Sequence, residues 1–178
     1  YDVVMASPAT LGTILDGGWV QSIEPYLADS ELTDPDWLAG LSDSMLSLAV
    51  RDGERYAVPY NMGVNILYYN KAMFEEAGLD PESPPQTLEE VLEAAKVLND
   101  PDNGKYGITF RATREGNANT FLWAMLWMAC GGSWEDENGE EDYTRISGPE
   151  AVEATEYFAE FHNYAPEGIN SYGYEEAQ

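Results

Sequence analysis

Planar amides, hydroxyls and guanidinium groups are the side chains in this sequence best suited to chemistry, and they fall in a few short stretches. Ser7 and Thr10 follow the apolar run DVVMA, while Tyr60, Asn61, Gly63 and Asn65 lie along YNMGVN. Arg111, Thr113, Arg114, Asn117 and Asn119 follow YGITF, and Trp134 sits just beyond Gly131-Gly132. Such groups hydrogen-bond neutral, hydroxyl-rich ligands, and the faces of Trp and Tyr cover the apolar C–H surface of a sugar ring. A carbohydrate fits this set best. Each position also has a plainer explanation. Asn119 or Thr120 would serve as a helix cap. Trp123 and Trp127 are i, i+4 neighbours that suit a core. Arg111 and Arg114 would neutralise surface acids, with little energetic return. His162 near a helix end is accounted for by the helix dipole.

Catalytic and metal chemistry finds less support. With 33 acidic residues, any carboxylate pair can be nominated for glycoside hydrolysis, so no pair is informative. No nucleophile elbow, phosphate loop, H-E-x-x-H or G-x-G-x-x-G occurs, and neither a catalytic residue nor a cofactor is expected. The run EDENGEED from Glu135 to Asp142 suggests calcium. However, placing Gly139 at the sixth loop position puts Trp134 at the first, where a carboxylate is required. A solvated acidic hairpin loop is the expectation, and no metal site is assigned. The single cysteine, Cys130, excludes an internal disulfide and lies in LWMAC, as a buried, inert thiol would.

The elements that must position these residues alternate between strand and helix. Asp2 to Ala6 reads as a buried strand, and Thr10 to Asp16 as a helix broken by Gly17-Gly18. Trp19 to Tyr26 then returns toward a Pro-marked turn. Helical spacing recurs from Asp36 to Val50, weakened by Gly40. Asp52-Gly53 predicts a tight hairpin turn, Val64 to Tyr69 a strand, and Lys71 onward a helix closed by Gly78. Thr87 and Glu90 form a capping box opening a helix that buries Leu88, Val91, Leu92, Ala95 and Leu98. Asn99 to Lys105 is a turn cluster leading to a strand at Tyr106 to Phe110. A helix from about Asn119 to Cys130 is apolar on every side and is expected to be buried. Ser147-Gly148-Pro149-Glu150 opens the last helix, to about Tyr164. In an α/β fold of this order, ligands bind where the carboxyl ends of strands meet loops and helix N-termini, which selects the stretches above.

Composition narrows the partners. The 178 residues carry 33 Asp and Glu against 8 Lys and Arg, for a formal net charge of −25. A phosphate backbone rewards clustered cations, and residues 115–178 hold only Arg145, so nucleic acid is excluded. Such acidity keeps a protein soluble where salt screens it, pointing to a salt-loving source, with an ordinary acidic secreted protein as the alternative. Apolar content of 44% suffices for a packed core in one domain or two small lobes. No apolar run reaches the length of a membrane span.

The stretch DGERYAVPYNMGVNILYYNKAMFEEAGL, from Asp52 to Leu79, resembles the extracellular solute-binding proteins of ABC importers, in the family 1 cluster that contains maltose-binding protein. The resemblance rests on D-G-x-x-Y-x-x-P, a short strand, Y-N-K and a helix ending in A-G-L. It continues through P-P-x-T before a helix, G-K-Y-G entering a strand, and an apolar helix ending in G-G. It implies an α/β, periplasmic-binding-protein-like (type II) two-lobe fold, incomplete at both ends. Residues 1–66 would be a partial N-terminal lobe, 67–70 a crossing strand and hinge, and 71–178 most of the C-terminal lobe. Asn119 and Phe121 would stand where the family carries a ligand-contacting acid and aromatic, and Ala6 where it carries a Trp, which counts against maltodextrin. The implied function is to bind a solute, a sugar or oligosaccharide first, between two lobes and to deliver it to ABC transporter permease subunits. The implied location is extracellular or periplasmic, with a removed N-terminal lipoprotein signal as one means of anchoring. A secreted carbohydrate-active enzyme and a surface adhesion domain of a halophile stand as alternatives.

Overall fold

Local hydrogen-bonding chemistry accounts for most element boundaries. The structure, a computed structural model, describes residues 2–61 and 63–177. The chain forms two compact units, Tyr1–Val64 and Asn65–Gln178.

In the first unit, helix α1 spans Pro8–Asp16, preceded by Ser7, whose backbone N–H donates to Thr10 Oγ1 at 3.2 Å. Helix α2 (Glu24–Leu27) follows. The helix expected over Asp36 to Val50 is interrupted: a 3-10 turn at Trp37–Gly40 stops at extended Leu41, and Ser42 caps a new helix, α3 (Asp43–Ser47). Gly40 has no side chain to hold the first turn, and the Ser42 hydroxyl accepts from Met45 N–H, offering the backbone a fresh start. Strands β1 (Val50–Arg51) and β2 (Glu54–Arg55) pair antiparallel. Asp52 and Gly53 between them have φ of 54° and 81°, the two positive values of a type I′ turn. Arg51 pairs with Asp16 at 2.6 Å and Arg55 with Glu24 at 3.5 Å.

The second unit is helical. Helix α4 (Lys71–Glu76) is capped by Asn70, whose Oδ1 accepts from Ala72 and Met73 N–H. Gly78 at φ 78° closes it as expected, with Gly78 N–H donating to Glu75 O and Leu79 N–H to Phe74 O. Helix α5 (Leu88–Leu98) opens on the Thr87–Glu90 capping box. Helices α6 (Ala118–Ala129) and α7 (Pro149–His162) complete the framework. Leu126, Trp127, Ala151, Ala154 and Phe161 form the core, with Leu88, Val91, Leu92, Ile108 and Phe110 packed against it. Trp127 is fully buried and stacks on Trp123, whose indole N–H donates to Thr155 Oγ1 at 2.9 Å, so this pair is core.

Several expectations are corrected. Asp2 to Ala6, Val64 to Tyr69 and Tyr106 to Phe110 are not strands, and Val3 and Met5 are 89% and 87% exposed rather than buried. Among the described residues the one sheet is β1–β2, so these β-prone runs have no ladder to join. Ile108 and Phe110 nevertheless reach the core, and Gly107 and Ile108 N–H both donate to Tyr164 O. Helix α6 is not buried all round: Phe121, Met125 and Met128 form an exposed face while Leu126 and Trp127 point inward. Its N-cap is Asn117, at φ 59°, not Asn119 or Thr120. Glu135 to Asp142 forms the expected hairpin loop, bridged between Glu135 and Glu141. Cys130 follows α6 half-buried, and burial raises its thiol above the ordinary value, which keeps it protonated and unreactive.

Candidate functional site

The loop from Arg111 to Asn119 is shaped by its own backbone. Gly116 and Asn117 both have φ of 59°, a left-handed pair that folds the chain sharply into α6. Thr113 Oγ1 accepts from Glu115 N–H at 3.2 Å, and Thr113 O accepts from Asn119 N–H at 3.1 Å. The loop is tied to the C-terminal segment at one atom, since Ala112 and Thr113 N–H both donate to Tyr172 O, at 3.2 and 3.1 Å. Arg111 stacks over Tyr174, 5.4 Å from the ring centroid.

Between this loop and the C-terminal segment lies a concavity of about 790 Å³. Thr113, Arg114 and Asn119 form one wall, Asn170, Ser171 and Glu176 the other, and Phe158 lines it as well. Its polar groups are partly committed. Ser171 donates to Gly168 O at 2.8 Å, Asn119 Oδ1 accepts from Thr120 N–H at 2.8 Å, and Glu176 Oε2 accepts from Gly173 N–H at 2.9 Å. The amide nitrogens of Asn119 and Asn170 and the Arg114 guanidinium have no protein acceptor among the described residues, so the space is lined by donors beside two carboxylates, Glu115 and Glu176. Neutral hydroxyl groups, which donate and accept, match such a lining.

Of the residues expected to bind ligand, the concavity collects Asn119, together with Thr113 and Arg114. Arg111, Asn117, Phe121 and Trp134 do not line it. Phe121 faces solvent on α6, and Trp134 packs edge-on against Trp127 with centroids 4.5 Å apart. In the first unit, Ser7 and Thr10 bond to each other, with Thr10 Oγ1 donating to Ser7 O at 3.1 Å. Tyr60, Asn61 and Gly63 lie exposed outside any helix or strand, Met62 is outside the described residues, and Asn65, at the start of the second unit, is exposed too. Asn170, Ser171 and Glu176 were not anticipated. The turn residues around Gly168, at φ 82°, are the signal that a structured bend precedes them. His162 ends α7 as expected but is also bonded, Nδ1 to Phe158 O at 2.7 Å and Nε2 to Asn170 Oδ1 at 3.1 Å. Among the described residues no cluster of His, Cys, Asp and Glu is arranged to hold a metal.

Solved structures that match nearly the whole chain are of the type II periplasmic-binding-protein fold, which is the class of this chain. A solved ribitol complex of an ABC transporter solute-binding protein from Agrobacterium radiobacter matches 98% of the chain at TM-score 0.79 and 25% identity. A mannitol-bound one from Agrobacterium vitis matches 99% at TM-score 0.73 and 25% identity. The chain belongs to the bacterial extracellular solute-binding protein family, whose model matches residues 1–178. A mannitol-binding protein of Pseudomonas aeruginosa is 34% identical over 161 residues, or 89% of the chain. The chain spans 34% of that relative's length, and 42% and 41% of the two solved chains.

Proposed function

We propose that the protein binds a small sugar or sugar alcohol outside the cytoplasm and passes it, chemically unchanged, to the permease of an ABC importer. The family match along all 178 residues carries this reading. The hydrogen-bonding lining of the concavity and the mannitol- and ribitol-binding relatives favour a polyol over a long oligosaccharide. In this reading Asn119 is a ligand contact on the second unit, with Arg111, Asn117, Phe121 and Trp134 as further contacts once ligand is bound. Ser7, Thr10, Tyr60, Asn61 and Gly63 are the corresponding contacts on the first lobe, Asn65 is a contact at the start of the second unit, and residues 67–70 are the hinge segment crossing between lobes. Ligand drives closure only by its higher affinity for the closed state. The acidic surface, with its net charge of −25, fits a salt-rich exterior, and an N-terminal lipoprotein signal is the proposed means of anchoring.

Isothermal titration with mannitol, ribitol, maltose and an amino acid tests the reading. Heat of binding with a polyol or sugar, and unaltered ligand recovered afterwards, is the expected result. Binding of the amino acid alone, or release of a cleaved product, would overturn it.

A further inference from the structure

The concavity that contains Asn119 is unbalanced in charge. Among its lining residues Glu115 and Glu176 are acidic, and Arg114 is the one Lys or Arg. None of the three takes part in an ion pair among the described residues; the pairs fall on Arg51, Arg55, Lys71, Lys96 and Lys105. Glu176 Oε2 accepts from Gly173 N–H at 2.9 Å, a bond that leaves its negative charge in place. The surrounding sequence tips the balance further. Residues 115–178 contain a single Lys or Arg, Arg145, so the C-terminal segment brings Glu167, Glu175 and Glu176 with no cation of its own. Arg145 acts instead on Asp136 and Asp142 of the acidic loop. Arg111 offsets one acid where it stacks over Tyr174, while Glu167 and His162 border the adjoining concavity.

Charge acts at range, so neither carboxylate has to touch the solute. The screening length is about 8 Å at physiological salt, and a concave wall of low dielectric focuses the field. A solute in a space of about 790 Å³ is therefore within reach of both acids. Arg114 alone would work the other way, because a guanidinium fork matches carboxylate and phosphate, but two carboxylates outnumber it in the same lining. We propose that Glu115 and Glu176 are specificity-determining residues, which turn away sugar acids and phosphate esters and admit the neutral polyol and its aminated form. Binding of a polyol at this site is the reading proposed above, on which the selectivity rests; the charge filter and the two residues that make it are additional.

Sorbitol, glucamine and gluconate share one polyol chain and differ at a single terminal group, CH2OH, CH2NH3+ or COO−, so isothermal titration with the three isolates charge. At about pH 7 and low salt, gluconate should bind wild type about 2- to 5-fold more weakly than sorbitol, the scale of one exposed charge pair, and glucamine at least as tightly as sorbitol. The discrimination should shrink at about 1 M KCl, where the screening length is about 3 Å. The double variant Glu115→Gln/Glu176→Gln keeps an acceptor for Gly173 N–H and should bring the sorbitol-to-gluconate affinity ratio to about one or below. The control Glu75→Gln/Glu153→Gln removes the same charge from α4 and α7, at residues lining neither concavity, and should keep the wild-type ratio. Gluconate binding wild type as tightly as sorbitol, or an equal change of ratio in the control, overturns the charge filter while leaving polyol binding standing. No heat with any of the three compounds overturns the polyol reading, and the filter with it.

Discussion

Gly107 is the position at which a single methyl group should disturb the second unit most. Its N–H donates to Tyr164 O at 2.9 Å and also reaches Asn99 Oδ1 at 3.3 Å, which fixes the segment against the helices on both sides. A Cβ built there would fall on the carbonyl oxygen of Ala95, a backbone atom of α5 in a residue only 2% exposed. Nothing flexible can yield, so either α5 or the 106–110 segment must shift. Overpacking of this kind costs about 1–3 kcal/mol, and Gly→Ala returns about 0.4–1 kcal/mol through the unfolded chain. The net expectation for Gly107→Ala is a loss of about 1–2 kcal/mol, read as a melting temperature lower by about 2–8 °C. Because the segment runs directly into the Arg111–Asn119 loop, polyol affinity should fall as well. Gly12→Ala is the matched control: no atom lies within 4 Å of its added Cβ, so it should stabilise α1 by about 0.5–1 kcal/mol. Thermal and urea unfolding of both variants decide the matter. A Gly107→Ala protein as stable as wild type would refute the close approach to α5.

Trp127→Ala, which empties the best-buried site, should cost about 3–5 kcal/mol in urea unfolding. Thr87→Ala removes the acceptor for Glu90 N–H and should lower stability by about 1 kcal/mol, with fraying at the start of α5 visible in hydrogen exchange. In the acidic loop, Asp136 is held below its ordinary 3.8 by bonds from Glu140 and Asn138 N–H, and Asp142 by bonds from Thr144. A lowered folded value means their contribution is complete above 3.8 and is lost as pH falls through the lower folded value, so exchange protection at Glu140 and Asn138 should fade in that window. The surface carries 33 acids against 8 Lys and Arg, so the melting temperature should rise as KCl is added; a flat profile would contradict a salt-loving source.

What was legible in the sequence was local. Asp52-Gly53, the Thr87–Glu90 box and Gly78 each act through atoms a few residues apart, and each forms as expected. Strand readings failed at Asp2–Ala6, Val64–Tyr69 and Tyr106–Phe110 because a strand is completed by a partner, and β-branched residues do not reveal whether that partner is present. Helix α6 shows the same limit. Its composition conceals which face turns inward, because Phe121, Met125 and Met128 are as apolar as Leu126 and Trp127. At the site, amides and hydroxyls after YGITF led to Asn119, but the opposing wall at Asn170, Ser171 and Glu176 is brought there by the Tyr172 carbonyl, which accepts from Ala112 and Thr113 N–H, a long-range fact that the local bend at Gly168 does not reveal. The αL pair Gly116-Asn117, a recognisable turn signal, would have placed the start of α6 correctly.

The central claim is that the protein recognises a neutral, hydroxyl-rich solute through the concavity containing Asn119. Titration of wild type and Asn119→Ala with mannitol and ribitol tests it most directly. The account predicts saturable binding to wild type and an affinity lower by about 2- to 12-fold in the variant, as expected when one ligand hydrogen bond is lost. Equal affinity in the two proteins would contradict it.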